Sequence, residues 1–158
     1  MTSITIPDGV TSIGDWAFSS SGLTNITIPG SVMSIGAWSF AFCDRLKNVR
    51  IVNGITCIGS LAFENCGLIS ITIPDSVTNI NSMAFDYCSD LKEVFYNGTA
   101  EQWAQISIAN NNTNLTSATR YYYSDTEPDL TADGTAYNGN YWHYDTDGTT
   151  IIIWKKEI

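Results

Sequence analysis

The feature that most constrains this chain is a repeat of 22 to 23 residues that fills its first hundred positions. An aliphatic or aromatic pair two residues apart recurs at Ile4/Ile6, Ile26/Ile28, Val49/Ile51, Ile71/Ile73 and Val94/Tyr96, in steps of 22, 23, 22 and 23. A second aliphatic pair follows at Val10/Ile13, Val32/Ile35, Ile55/Ile58 and Val77/Ile80, and then Phe18, Phe40, Phe63 and Phe85. Three residues after each Phe stand Ser21, Cys43, Cys66 and Cys88. The uneven step has one source: five residues separate Phe from the next leucine before Leu23 and Leu68, and six before Leu46 and Leu91.

A period this short specifies a solenoid, because one unit cannot bury its apolar face until a neighbour stacks on it. The consensus LxxIxIPxxVxxIGxxAFxxC places alternating Leu, Ile and Ile on one side of a short strand, so successive strands should lie side by side in a parallel sheet. Gly14, Gly36 and Gly59, with Asn81 in the fourth copy, fall where the chain changes direction, and a positive φ is expected there. Pro7, Pro29 and Pro74 end the first strand, with Val52 in the third copy.

The segment LTNITIPGSVMSIGAWSFAFC (Leu23 to Cys43) resembles the BspA-like class of leucine-rich repeat. The resemblance runs from Met1 to Gly98, and the later YYYSDTEP and YWHYDTDGTT resemble the ending of many bacterial members. It implies a right-handed β-α superhelix in a secreted or surface-attached protein of a family associated with adhesion, located outside the cell or on its surface. It names no receptor, because the columns that contact ligands vary freely on such a scaffold.

Composition narrows the partners. The 158 residues carry 16 Asp and Glu against 7 Lys and Arg, a net charge of −9. That balance argues against nucleic acid and anionic membranes, which require clustered cations. No apolar run approaches a membrane span. The chain starts inside a repeat, without the preceding leucine or a polar cap, so the N-terminal edge is expected either to continue an array or to pair with another chain. The column of Cys43, Cys66 and Cys88 reads as small buried residues; parallel Cβ vectors suit neither a disulfide nor tetrahedral zinc. Cys57, outside the column, is the thiol expected to react.

Beyond residue 98 the repeat gives way to a region expected to cap the solenoid (99–158). Thr99 with Gln102 forms a capping box that opens a short helix, with Trp103 and Ile106 facing inward. Asn110 to Asn114 reads as a loop and Ala118 to Ser124 as a Tyr-rich strand. A hairpin follows, with strands Tyr141 to Tyr144 and Thr150 to Trp154 around a turn at Asp145 to Gly148. Asp145 and Asp147 suggest a calcium loop, but the later acidic ligand is missing. His143 is the single histidine and no GxSxG elbow exists. Asp125, Glu127 and Asp129 flank Pro128 in a solvated loop rather than a glycosidase pocket. No catalytic set, cofactor or metal is expected.

Two surfaces remain as candidates for binding. On the strands, the residues between the inward ones should form two columns on the concave face: Asn25, Asn48, Ser70 and Glu93, and Thr27, Arg50, Thr72 and Phe95. Arg50 and Phe95 are their only large groups and the expected anchors. The second surface is the aromatic tail, with Tyr141, Trp142 and Tyr144, whose rings beside Asp and Asn suit sugar or protein ligands. The expected function is a non-catalytic protein- or glycan-binding module acting through the concave face. A substrate-recognition accessory piece using the hairpin, or a structural spacer, is the alternative.

Overall fold

A computed structural model describes residues 3–155. Its elements are β1 (Ser12–Ile13), β2 (Asn25–Ile28), β3 (Ser34–Ile35), β4 (Asn48–Ile51), β5 (Cys57–Ile58), β6 (Ser70–Pro74), β7 (Asn79–Ile80) and β8 (Glu93–Asn97). After them come α1 (Ala100–Trp103), β9 (Ser107–Ile108), α2 (Thr113–Ser117), β10 (Thr119–Tyr123), β11 (Tyr141–Tyr144) and β12 (Ile151–Ile153). From β2 to β9 each turn of the solenoid contributes one long and one short strand, and the first turn only the short β1. The long strands form a sheet in the order β12-β11-β10-β8-β6-β4-β2, and the short ones a sheet in the order β1-β3-β5-β7-β9. Pairing is parallel throughout except for β11 with β12.

The register is the sequence period made physical. Ile26 lies opposite Val49, Val49 opposite Ile71, and Ile71 opposite Val94. The apolar residues of both sheets point into one core between them, which takes in Leu23, Val32, Leu46, Ile55, Leu68 and Val77. Along this core Phe18, Phe40, Phe63 and Phe85 stack ring on ring at 5.2, 5.1 and 5.3 Å. Each of the three column thiols donates to the carbonyl of the Phe one rung back: Cys43 to Phe18, Cys66 to Phe40 and Cys88 to Phe63, at 3.0 to 3.1 Å. The cysteines therefore act as buried donors as well as fillers.

The solenoid passes residue 98 without a break. Segment β9 extends the short-strand sheet and β10 pairs with β8, so residues 99–123 build one more turn, with helix in it. The capping box at Thr99 and Gln102 opens α1, and Trp103 is buried against Tyr96 at 5.1 Å. Two local expectations are corrected. Part of the Asn110 to Asn114 loop is the start of α2, held because buried Asn112 donates to Asn81 and Ala109 while Leu115 fills the core. The first pair, Ile4/Ile6, is not a sheet strand, although Ile6 is buried.

The glycines serve a different purpose from the expected one. Gly14, Gly36 and Gly59 are not among the positive-φ residues; that conformation belongs to Trp16, Trp38, Leu61 and Met83, with φ of 58 to 62°. Ser20, Phe42, Asn65 and Tyr87 repeat it four residues later. A left-handed backbone at a residue with a side chain costs about 1–2 kcal/mol. What Gly59 provides is room, since a Cβ there would lie 2.6 Å from the Ile35 carbonyl oxygen. At Gly14 nothing lies within 4 Å of that position.

Urea unfolding of single variants tests these contacts. Phe63→Ala, at a fully buried ring stacked on both sides, is expected to cost about 3–5 kcal/mol. Gly59→Ala is expected to cost about 1–3 kcal/mol through overpacking, while Gly14→Ala stays within about 0.5 kcal/mol of the parent.

Candidate functional site

The strand registers assemble the two outward columns on one face of the long-strand sheet. Asn25, Asn48, Ser70 and Glu93 are neighbours across β2, β4, β6 and β8, as are Thr27, Arg50, Thr72 and Phe95. The first column is a hydrogen-bonded ladder that runs in one direction. Ser70 Oγ donates to Asn48 Oδ1 at 2.8 Å, Asn48 Nδ2 to Asn25 Oδ1 at 2.9 Å, and Asn25 Nδ2 to Thr24 Oγ1 at 3.3 Å. Aligned side-chain dipoles of this kind polarise one another, and each carboxamide keeps donor and acceptor capacity beyond the ladder.

The second column is divided in two by the tail. Strand β11 joins β10 only through Tyr122 with Tyr141 and Tyr123 with Trp142. From there the hairpin lies back across the sheet face. Trp142 is fully buried, its Nε1 donating to the Tyr96 carbonyl at 3.0 Å. Phe95 is 4 % exposed, stacked on Tyr121 at 5.2 Å and meeting the Trp142 edge at 5.8 Å; Thr72 is also 4 % exposed. The hairpin tip reaches β4, where Arg50 Nη2 donates to the Gly148 carbonyl at 3.2 Å and the guanidinium lies 5.1 Å from the Tyr144 ring centre.

Of the expected site residues, Asn25, Thr27 and Asn48 therefore face solvent, and Ser70, Arg50 and Glu93 are half-buried. The exposed anchor expected at Phe95 is corrected: its ring is a buried contact between solenoid and tail. Within the tail, Trp142 is turned inward and Tyr144 lies over Arg50, so the three aromatics do not form one open surface. The sequence does carry a signal for this. Phe95 is the lone ring in an otherwise polar outward column, and a tail dense in Tyr and Trp is where its partners lie. Beside Thr5 the face keeps an open cavity of about 370 Å³, bordered by Asn25, Thr27, Asn48 and Arg50.

Several titratable groups elsewhere are occupied structurally. His143 Nδ1 is 2.8 Å from the Tyr144 carbonyl, and its ring lies 4.5 Å from Trp154. In the hairpin turn the Asp147 carboxylate accepts from the Thr150 hydroxyl and the backbone N–H groups of Thr150 and Thr149, which hold it below the usual carboxylate range. Asp133 is lowered to about 2 by the Thr131 hydroxyl and by Thr135. Glu127 accepts from the Tyr137 hydroxyl at 2.9 Å. Cys88 is pushed up to about 12 by burial, and Cys66, hydrogen-bonded to Cys43 and buried, also lies above the ordinary thiol value. Among the described residues no group of three or more His, Cys, Asp or Glu side chains is placed to hold a metal ion, and no helix is long and apolar enough to cross a membrane.

The family follows from comparison with known sequences. Residues 1–92 match the model for the BspA type leucine rich repeat region, in six copies. The chain belongs to the BspA-type leucine-rich repeat family. Among solved structures it is similar to a leucine-rich cell surface protein of Faecalibacterium prausnitzii A2-165, at 36 % identity and a TM-score of 0.52, over 66 % of this chain and 34 % of that one. A leucine-rich repeat protein of Bacteroides ovatus ATCC 8483 aligns at 20 % identity and a TM-score of 0.37, over 81 % of this chain and 46 % of that one. This chain thus spans about a third to a half of the length of these proteins. No curated protein matches.

Burial sets the reactivity expected of the four free thiols. In the native protein a thiol reagent is expected to modify Cys57 alone, the one that is not buried, and Cys57→Ser should remove that signal. Labelling of all four thiols at one rate before denaturation would show that the column is open.

Proposed function

We propose that this chain is a non-catalytic protein-binding module of a bacterial cell-surface or secreted protein, and that it engages its ligand through the open part of the long-strand face. The observation that carries this reading is the ladder of Asn25, Asn48 and Ser70 beside the cavity of about 370 Å³. These side chains take no part in the core, and they offer fixed donors and acceptors at strand spacing to anything laid across them. Arg50 lines the cavity, and its guanidinium is fixed by the Gly148 carbonyl of the hairpin tip. An acidic or carbonyl-bearing group on the ligand would find that guanidinium at the boundary. Adhesion and surface placement rest on the family and on the Faecalibacterium cell surface protein to which the chain is similar.

The test is a binding screen of the purified chain against extracellular-matrix proteins and a glycan array, run beside Thr27→Arg. That position is exposed and lines the cavity, so the variant should fold as the parent does and block the face. A protein ligand bound by the parent and weakened at least about tenfold by Thr27→Arg is the expected result. Undiminished binding would place the ligand on another surface, and hits confined to glycans would favour recognition by the aromatic hairpin.

A further inference from the structure

The turns that close each rung carry a surface unlike the sheet face. Backbone bonds hold these turns in register from rung to rung: Trp16 N–H donates to Ala37, Trp38 to Ser60, Phe42 to Glu64 and Asn65 to Asp86. The left-handed positions accordingly line up in two columns, Trp16, Trp38, Leu61 and Met83, then Ser20, Phe42, Asn65 and Tyr87. Asn and Gly adopt this conformation at the least cost, and Asn65 shows that the fold accepts Asn there. Most of these sites instead hold large apolar or aromatic residues, and their side chains are not buried by the fold. Trp16 is 55 % exposed, Phe42 41 % and Tyr87 68 %. The indoles of Trp16 and Trp38 stack at 4.7 Å within 4° of parallel, with Phe42 5.9 Å from Trp38. The chain thus places large rings where Asn would cost less, and Trp16, Trp38 and Phe42 form an aromatic patch open to water, which is a mark of an interaction surface.

The charges on this face select the partner. The four turn segments (14–22, 36–43, 59–66 and 81–88) contain Asp15, Glu64 and Asp86 and no Lys or Arg. Glu64 Oε2 is buried without a hydrogen-bond partner. Burial, with the like charge of Asp86 one rung on, raises its carboxyl above the usual value. A cation brought beside Glu64 and Asp86 would offset their mutual repulsion and favour the ionised Glu64 carboxylate. Lysine and arginine do this while packing their alkyl stems on apolar surface, and a guanidinium also stacks on aromatic rings. Four rungs span roughly 15 Å, the length of four or five extended residues.

We propose that the turn face of this solenoid, from Trp16 through Phe42 to Glu64, Asp86 and Tyr87, docks a basic, amphipathic protein segment whose lysine or arginine heads meet the two carboxylates while its apolar groups cover the rings. This surface is separate from the sheet face.

The experiment is fluorescence anisotropy of the full chain with two labelled decapeptides, one alternating Lys with Leu and one alternating Glu with Leu, at low and high salt. The Lys peptide is expected to bind at least about tenfold more tightly than the Glu peptide and to weaken as salt rises. Glu64→Gln/Asp86→Asn should weaken it about tenfold, as should Trp16→Asn/Trp38→Asn, which relieves the left-handed positions and so should melt no lower than the parent. Thr27→Arg on the sheet face should leave this binding unchanged, so that failure here is separable from failure of the sheet-face reading. Asp125→Asn/Asp129→Asn removes equal charge elsewhere and should also have little effect. No binding of the Lys peptide, equal binding of both peptides, parental affinity in Glu64→Gln/Asp86→Asn, or an equal loss in the Asp125→Asn/Asp129→Asn control would each overturn the proposal.

Discussion

Everything in this molecule depends on one rung lying flat on the next at strand spacing. The short period allows no unit to bury its own apolar side, so the stability of each rung resides in its two neighbours. Three kinds of contact fix that spacing at different points around the turn. Parallel ladders fix it on the two sheets, the Phe18-Phe40-Phe63-Phe85 stack fixes it in the core, and the thiol-to-carbonyl bonds fix it where the turn leaves the Phe column. Glycine at positions 36 and 59 belongs to the same constraint, because any side chain there would enter the backbone of the rung before. Threonines and asparagines on the outside can vary freely only because this inner set does not.

The inner set is also the part that was legible in the residues. Repeating columns predict parallel register with little ambiguity, since a slip by one residue would turn every inward Ile outward. The glycine column carries two physical meanings: close approach and positive φ both select glycine, and sequence does not separate them. The left-handed positions could not be found from composition, because Trp16, Trp38 and Met83 are residue types that disfavour that conformation. The repeat geometry imposes it on whatever residue occupies the place.

The tail lies at the opposite extreme. Its elements were legible one at a time, from the capping box at Thr99 to the turn at Gly148, because capping and turn chemistry are local. Where the hairpin rests was not, since its seat is made by contacts far apart in sequence: Trp142 with Tyr96, Trp142 with Phe95, and Arg50 with Gly148. That seat decides how much of the sheet face stays open. It takes Phe95 and Thr72 out of solvent and leaves Asn25, Thr27 and Asn48.

A solenoid of this design separates its surfaces chemically as well as spatially. The sheet face carries short polar groups with one guanidinium at its edge, while the turn segments carry stacked rings and carboxylates and contain no Lys or Arg. No residue belongs to both, and the core between them is indifferent to either, because neither Asn48 nor Trp38 contributes to the Phe stack or the paired aliphatics. Two ligands of opposite character could therefore be held at once without competing for a side chain. Coupling between them would have to pass through the rung spacing, which the parallel ladders, the Phe stack and the thiol bonds hold together.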